Sequence, residues 1–217
     1  KVGEIEMTKK FNNVDSIIFD LDGTLWDSRK EVASAWSEVI RGYDYERKEV
    51  TFQEVNDLMG KTIDEIEDIL FPKLLKEKRT EILYECCENE NSYLRKYGAK
   101  LFDNLESTLD KLSKKYRLFI VSNCQPGYIE AFLDYYNLNK YFEDHECPKS
   151  AEIVKSDNIK LIKNRNNLKN PVYVGDTQGD ANATKDAGLE FVFASYGFGN
   201  VDEYQYKIEK IEDLLEL

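Results

Sequence analysis

The sequence predicts an α/β chain, a doubly wound parallel sheet that carries an inserted α-helical segment. Three observations lead there. Short continuous apolar runs recur along the chain, the stretches between them have helical periodicity, and the first two runs stand farther apart than a single crossover needs.

Residues 16–19 (SIIF) form the first run, which ends in polar residues and Gly23, as a strand buried on both faces does. Residues 118–121 (LFIV), 172–174 (VYV) and 191–194 (FVFA) repeat that signature, each followed by material that can hold a helix. Residues 141–147 are more charged, but a parallel sheet has room for a strand there, and one is assigned. Val32, Ala35, Trp36, Val39 and Ile40 share one helical face, and Leu105, Leu109, Leu112 and Tyr116 repeat the spacing. Pro126 is expected in the first turn of a helix whose buried side is Ile129, Phe132, Leu133 and Tyr136. Thr51-x-x-Glu54 and Thr62-x-x-Glu65 both read as capping boxes. Leu83, Cys86, Cys87, Glu90, Tyr93, Leu94 and Tyr97 extend one long helix. Residues 28–98 therefore read as an inserted helical cap joined near Asp27 and Gly98, leaving residues 1–27 and 99–217 to build the sheet domain. Residues 164–170 (NRNNLKN) are a turn-rich connector.

Composition narrows the function. The chain has 217 residues, ample for a buried core, and 30 Lys and Arg against 42 Asp and Glu leave a formal charge of −12. Such a surface repels phosphate backbones, so no nucleic-acid partner is expected. Hydrophobic residues make up 41%, yet no segment approaches the roughly 18 consecutive apolar residues of a membrane span. His145 is the single histidine, so every Ser-His-Asp, Cys-His or His-ligated metal site would have to use it, and it reads as structural or solvent-exposed. Cys86, Cys87, Cys124 and Cys147 contain no C-x-x-C pair, and no apolar leader precedes the first strand, so a reduced cytoplasmic setting is expected. The cysteines read as packing, and so do Trp26 and Trp36, which could alternatively shape the mouth between sheet and cap. The chain opens on Lys1, with Met7 as a candidate initiator.

Carboxylates carry the chemistry. Asp20 and Asp22, in Asp20-Leu21-Asp22-Gly23-Thr24, follow the first strand at i and i+2, so both can address one site at the carboxyl edge of the sheet. Four such fixed matches arise by chance on the order of a few times 10⁻³. Asp176 and Asp180, in GDTQGD after the third strong run, add two more acids. Four converging carboxylates call for a hard divalent cation such as Mg²⁺. Ser122-Asn123 after the second strong run, with Lys155 at a helix start, suit phosphoryl oxygens.

These four motifs resemble those of the haloacid dehalogenase (HAD) superfamily, in its phosphatase branch with a helical C1-type cap, and phosphoglycolate-phosphatase-like enzymes in particular. The resemblance spans almost the whole chain and implies a Rossmann-like core. It implies that Asp20 is the nucleophile that becomes an aspartyl phosphate and that Asp22 is the general acid and base. The Asp20 and Asp176 side chains and the Asp22 carbonyl would bind Mg²⁺, with Asp180 orienting a metal-bound water or Lys155. Thr24, Ser122, Asn123 and Lys155 would hold the phosphoryl group. An acid at Asp22 favours phosphoryl transfer over dehalogenation, because a halide leaving group needs no proton.

The plainer readings stand beside these. Asp22-Gly23 can be a simple turn, Asp176 and Asp180 can merely cap a helix, Ser122-Asn123 can start one, and Lys149 competes with Lys155. Lys61, in Gly60-Lys61-Thr62, either reaches substrate or is solvated. The expected activity is Mg²⁺-dependent hydrolysis of a small phosphorylated metabolite. The alternatives are a phosphosugar mutase resembling β-phosphoglucomutase and a non-catalytic phosphometabolite-binding module.

Overall fold

A computed structural model describes residue 11, residues 13–150 and residues 152–217; Met7 lies outside the described residues. In chain order the first elements are β1 (Ser16–Phe19), β2 (Trp26–Asp27), α1 (Arg29–Ile40), α2 (Phe52–Leu58), α3 (Ile63–Leu70) and α4 (Lys76–Tyr97). Next come β3 (Lys100–Leu101), α5 (Leu105–Leu112), β4 (Arg117–Val121), α6 (Tyr128–Tyr136) and β5 (Asp144–Glu146). The chain ends with α7 (Lys155–Arg165), β6 (Pro171–Gly175), α8 (Gln178–Ala187), β7 (Glu190–Ala194) and β8 (Tyr206–Ile208).

Six strands form one parallel sheet in the order β5-β4-β1-β6-β7-β8. Strand β1 lies between β4 and β6, with Phe19 level with Ile120 on one side and Val174 on the other. Alternation within the strands divides the core into two layers. Ile17, Phe19, Leu118, Ile120, Val172 and Val174 pack against α5 and α6. Ile18, Phe119, Val121, Tyr173, Phe191 and Phe193 face α7 and α8 instead. Every strand predicted from an apolar run is present, and so is the charged β5, whose Asp144 and Glu146 pair with Arg165 of α7, Glu146 with Lys149 as well.

Helices α1–α4 enclose their own apolar cluster around Val32, Trp36, Ile40, Leu70, Phe71 and Cys86. Both predicted capping boxes form, Thr51 with Glu54 and Thr62 with Glu65. The segment leaves and rejoins the sheet through a two-stranded antiparallel ribbon, β2 against β3, in which Trp26 faces Leu101. Strands of two residues have no period to detect, so this ribbon was not predicted. Neither was β8 or the closing 3₁₀ turn, Ile211–Glu216.

Two helix boundaries differ from expectation. Helix α6 starts at Tyr128 rather than in the turn of Pro126, because Gly127 takes φ 93° at the N-cap. Helix α5 ends at Leu112, and Tyr116 packs from the loop beyond, with its hydroxyl donating to the Leu217 carbonyl at 3.1 Å. Trp26 is wholly buried between Tyr128 and Phe132, the core-filling reading. His145 lies within β5, level with Ile120, and all four cysteines are free and buried. Among the described residues no helix is long and apolar enough to cross a membrane.

Candidate active site

The carboxyl ends of three neighbouring strands, β1, β4 and β6, bring Asp20, Ser122 and Asp176 to one edge of the sheet. That edge lies where the strand order reverses around β1, the usual ligand position in an open α/β sheet. Asp20 is fixed there by its own backbone, whose N–H donates to the Val174 carbonyl at 2.8 Å. Lys155 opens α7 and is buried beneath it. Its ammonium donates to Asp20 Oδ1 at 2.7 Å and also to Asp180 Oδ1. Lys149, the rival, is 69% exposed and pairs with Glu146, whereas Lys155 is only 7% exposed.

Carboxylate oxygens of Asp20, Asp176 and Asp180 all lie within 4.8 Å of one another. Burial pushes the Asp20 carboxyl well above its usual range, Asp180 and Asp176 add to that push, and Lys155 opposes it. Asp176 is raised to about 7, again by burial first and Asp180 next. Burial alone would lower the Lys155 ammonium, but Asp180 and Asp20 outweigh it and hold the proton firmly. When all three carboxylates are ionised against one ammonium they leave two negative charges in a dry site, which a divalent cation offsets. The backbone is shaped for the same purpose. Gly23, at φ 78°, lets the Asp176 carboxyl approach so closely that a Cβ there would meet Asp176 Oδ2 at 2.2 Å. Gly197 does the same from the loop after β7, and the next backbone N–H, that of Phe198, donates to Asp176 Oδ2 at 2.7 Å.

Asp180 does cap α8, as the plainer reading held: its Oδ2 accepts from the Thr177 backbone and hydroxyl while Oδ1 takes Lys155. The Asp176 backbone N–H also donates to Asp180 Oδ2, at 3.2 Å, but the Asp176 carboxylate takes no part in that cap and is held by Thr24 and Phe198. Thr24, expected on phosphoryl oxygens, is instead fully buried and donates to Asp176 Oδ1 at 3.4 Å. That corrects its place in the site, because the turn after Gly23 aims the hydroxyl at the neighbouring strand's acid.

Asp22 stands apart from the triad. Its Oδ1 accepts from the Ser28 hydroxyl at 2.6 Å and the Tyr128 hydroxyl at 2.7 Å. Burial raises its carboxyl, and the Ser28 and Tyr128 hydrogen bonds limit the rise. Ser28 and Tyr128 were not singled out from the sequence: Ser28, six residues on, falls outside the compact motif, and nothing local marks Tyr128, 106 residues away.

Asp22 also opens on a cavity of about 50 Å³ roofed by the helical segment, where Lys61, Trp36 and Glu90 meet Asn123, Gln125 and Tyr128. Lys61 is half-buried and lines this cavity, so the loop before α3 does reach the site. The Asn123 amide donates to the Gly60 carbonyl at 3.4 Å, which joins the loop after β4 to the helical segment. Trp36 thus shapes the mouth as well as packing the helical cluster. Arg29, in turn, lies between the Phe52 and Phe198 rings, 4.7 and 3.7 Å from their centroids, and bonds Asp27 and Asn56.

Residues 17–194 match the family model described as haloacid dehalogenase-like hydrolase. A phosphoglycolate phosphatase of Aquifex aeolicus is 28% identical over 213 residues, covering 93% of this chain and 95% of the relative. One from Vibrio parahaemolyticus is 25% identical, over 87% of this chain and 86% of its own. The fold is shared with a haloacid dehalogenase-like family hydrolase of Streptococcus pneumoniae, at TM-score 0.76 and 21% identity, over 94% of this chain and 97% of that one.

Proposed function

Because this chain belongs to the haloacid dehalogenase-like hydrolase family and is one of its phosphatases, we propose that it hydrolyses a small phosphorylated metabolite through an aspartyl phosphate on Asp20. Phosphoglycolate is the first substrate to test, because the relatives bear that name. The observation that carries the mechanism is the separation of the two acids. Asp20 lies in the charged triad against Lys155, whereas Asp22 is held away from it by neutral hydroxyls.

Asp20 attacks phosphorus as its bond to the ester oxygen breaks, and Asp22 gives that oxygen a proton. Its raised carboxyl suits a group that must hold a proton until then. Asp22 next removes a proton from water, which attacks the aspartyl phosphate, releasing phosphate and restoring Asp20. Ser122, Asn123 and Lys155 hold the phosphoryl oxygens, Thr24 holds Asp176, and Asp180 positions Lys155. Magnesium would be held by Asp20, Asp176 and the Asp22 carbonyl, where it supplies positive charge to the transferring phosphoryl group.

Residues 28–98 act in this reading as a cap over the site, and Lys61 as its contact with substrate. The cavity of about 50 Å³ has the volume of about two waters. That favours a short ester over the hexose phosphate of a mutase. The test is a phosphate-ester panel that includes phosphoglycolate, sugar phosphates and nucleotides, run with Mg²⁺ and with EDTA. EDTA should abolish turnover and added Mg²⁺ restore it. Asp22→Asn should cost about 10²–10⁴-fold, and Asp20→Asn more. Full activity in Asp20→Asn overturns the mechanism.

A further inference from the structure

We infer that Glu90 of α4 is a specificity-determining residue, which hydrogen-bonds a polar oxygen at the far end of a short leaving group. The inference rests on the phosphatase reading and adds to it the class of ester this site selects. The leaving oxygen must lie beside Asp22, so the rest of the leaving group extends into the cavity that Asp22 and Glu90 both line.

Glu90 is 4% exposed, and the Trp36 indole N–H donates to its Oε2 at 2.6 Å. No cation pairs with it among the described residues. A buried carboxyl without a cation is costly, and its neutral partners, the Trp36 indole and the Gln125 amide, do not call for one, since a neutral amide or a backbone carbonyl would accept their protons equally well. Burial pushes the Glu90 carboxyl up to about 8, so near neutral pH it has a proton to donate.

Its position is fixed from the sheet side. The Asn91 amide donates to the Pro126 carbonyl at 2.9 Å, the Gln125 amide donates to Asn91 Oδ1 at 3.1 Å, and Arg95 reaches the Gly127 carbonyl. These bonds anchor α4 to the loop after β4. Glu90 is therefore held on an anchored helix in the cavity that Asp22 also lines, where Val32, Leu58 and Ile66 supply apolar wall and Lys61, Asn123 and Gln125 the other polar groups. A buried polar reader in a small cavity rejects a leaving group that cannot satisfy it.

Three two-carbon monoesters test this on the full chain: phosphoglycolate, 2-hydroxyethyl phosphate and ethyl phosphate. The wild type should favour at least one polar ester over ethyl phosphate in kcat/KM, and Glu90→Ala should cut that ratio about 10-fold. Glu90→Leu keeps the volume and should do the same if the alanine variant folds poorly. Equal losses on all three esters would make Glu90 a prop for Trp36 and overturn the assignment. So would a wild type indifferent to the polar end. Preference for 2-hydroxyethyl phosphate that vanishes in the variants, with no turnover of phosphoglycolate, keeps Glu90 and removes phosphoglycolate as the substrate.

Discussion

Replacing Glu90 by Gln keeps the shape of the side chain and an acceptor for the Trp36 indole, and removes only the ionisable proton. Burial lifts the folded carboxyl from an ordinary 4.5 to about 8; the Trp36 hydrogen bond works against that rise and the Asp22 charge adds to it. Between those two values the folded protein holds a proton that the unfolded chain has released. Stability from this group therefore falls as pH rises through that window and levels off above about 8. At about 1.4 kcal/mol per unit, the two units from pH 6 to 8 amount to about 2–3 kcal/mol. Glu90→Gln escapes that loss. Urea melts of both proteins at pH 6, 7 and 8 should show the variant gaining on the wild type by that amount across the series. A stability difference that stays constant with pH would mean the carboxyl is not protonated in the folded state, and would refute the reasoning.

Lys155→Met leaves Asp20 and Asp180 buried with no ammonium, a change expected to cost about 3–5 kcal/mol; thermal melts should recover part of the loss on adding Mg²⁺, and an unaltered Tm in its absence would contradict the pairing. Tyr128→Phe removes a hydrogen bond that favours ionised Asp22, so the basic limb of the kcat profile should move to higher pH. A limb that stays in place would show that Asp22 is not the acid being titrated.

The sequence made the sheet legible because its central strands are buried on both faces and read as unbroken apolar runs, as in Ile17, Ile18 and Phe19. Strand β5 was less visible because its acids are offset by Arg165, which lies outside the strand. The ribbon of β2 and β3 was invisible, since two residues cannot display an alternation. At the site, Asp20, Asp176, Asp180 and Lys155 were legible because each follows a strand or opens a helix in a compact motif. Thr24 was misplaced because the motif gives its position but not the direction of its hydroxyl, which Asp176 takes. Ser28, Tyr128, Glu90 and Phe198 carried no local signal beyond ordinary helix and loop chemistry. The glycines flanking Phe198 were the one hint of a tight approach to Asp176.

The ribbon also bears on how such a protein can diversify. Trp26 and Asp27 leave the sheet directly alongside Lys100 and Leu101, which return to it, so the entire intervening stretch is grafted at one point, like a scion on rootstock. It can be lengthened or exchanged at that junction without moving a strand of the six-stranded sheet, so long as α4 keeps its bonds to the loop after β4. Innovation in what is admitted can then proceed independently of the machinery that breaks the bond.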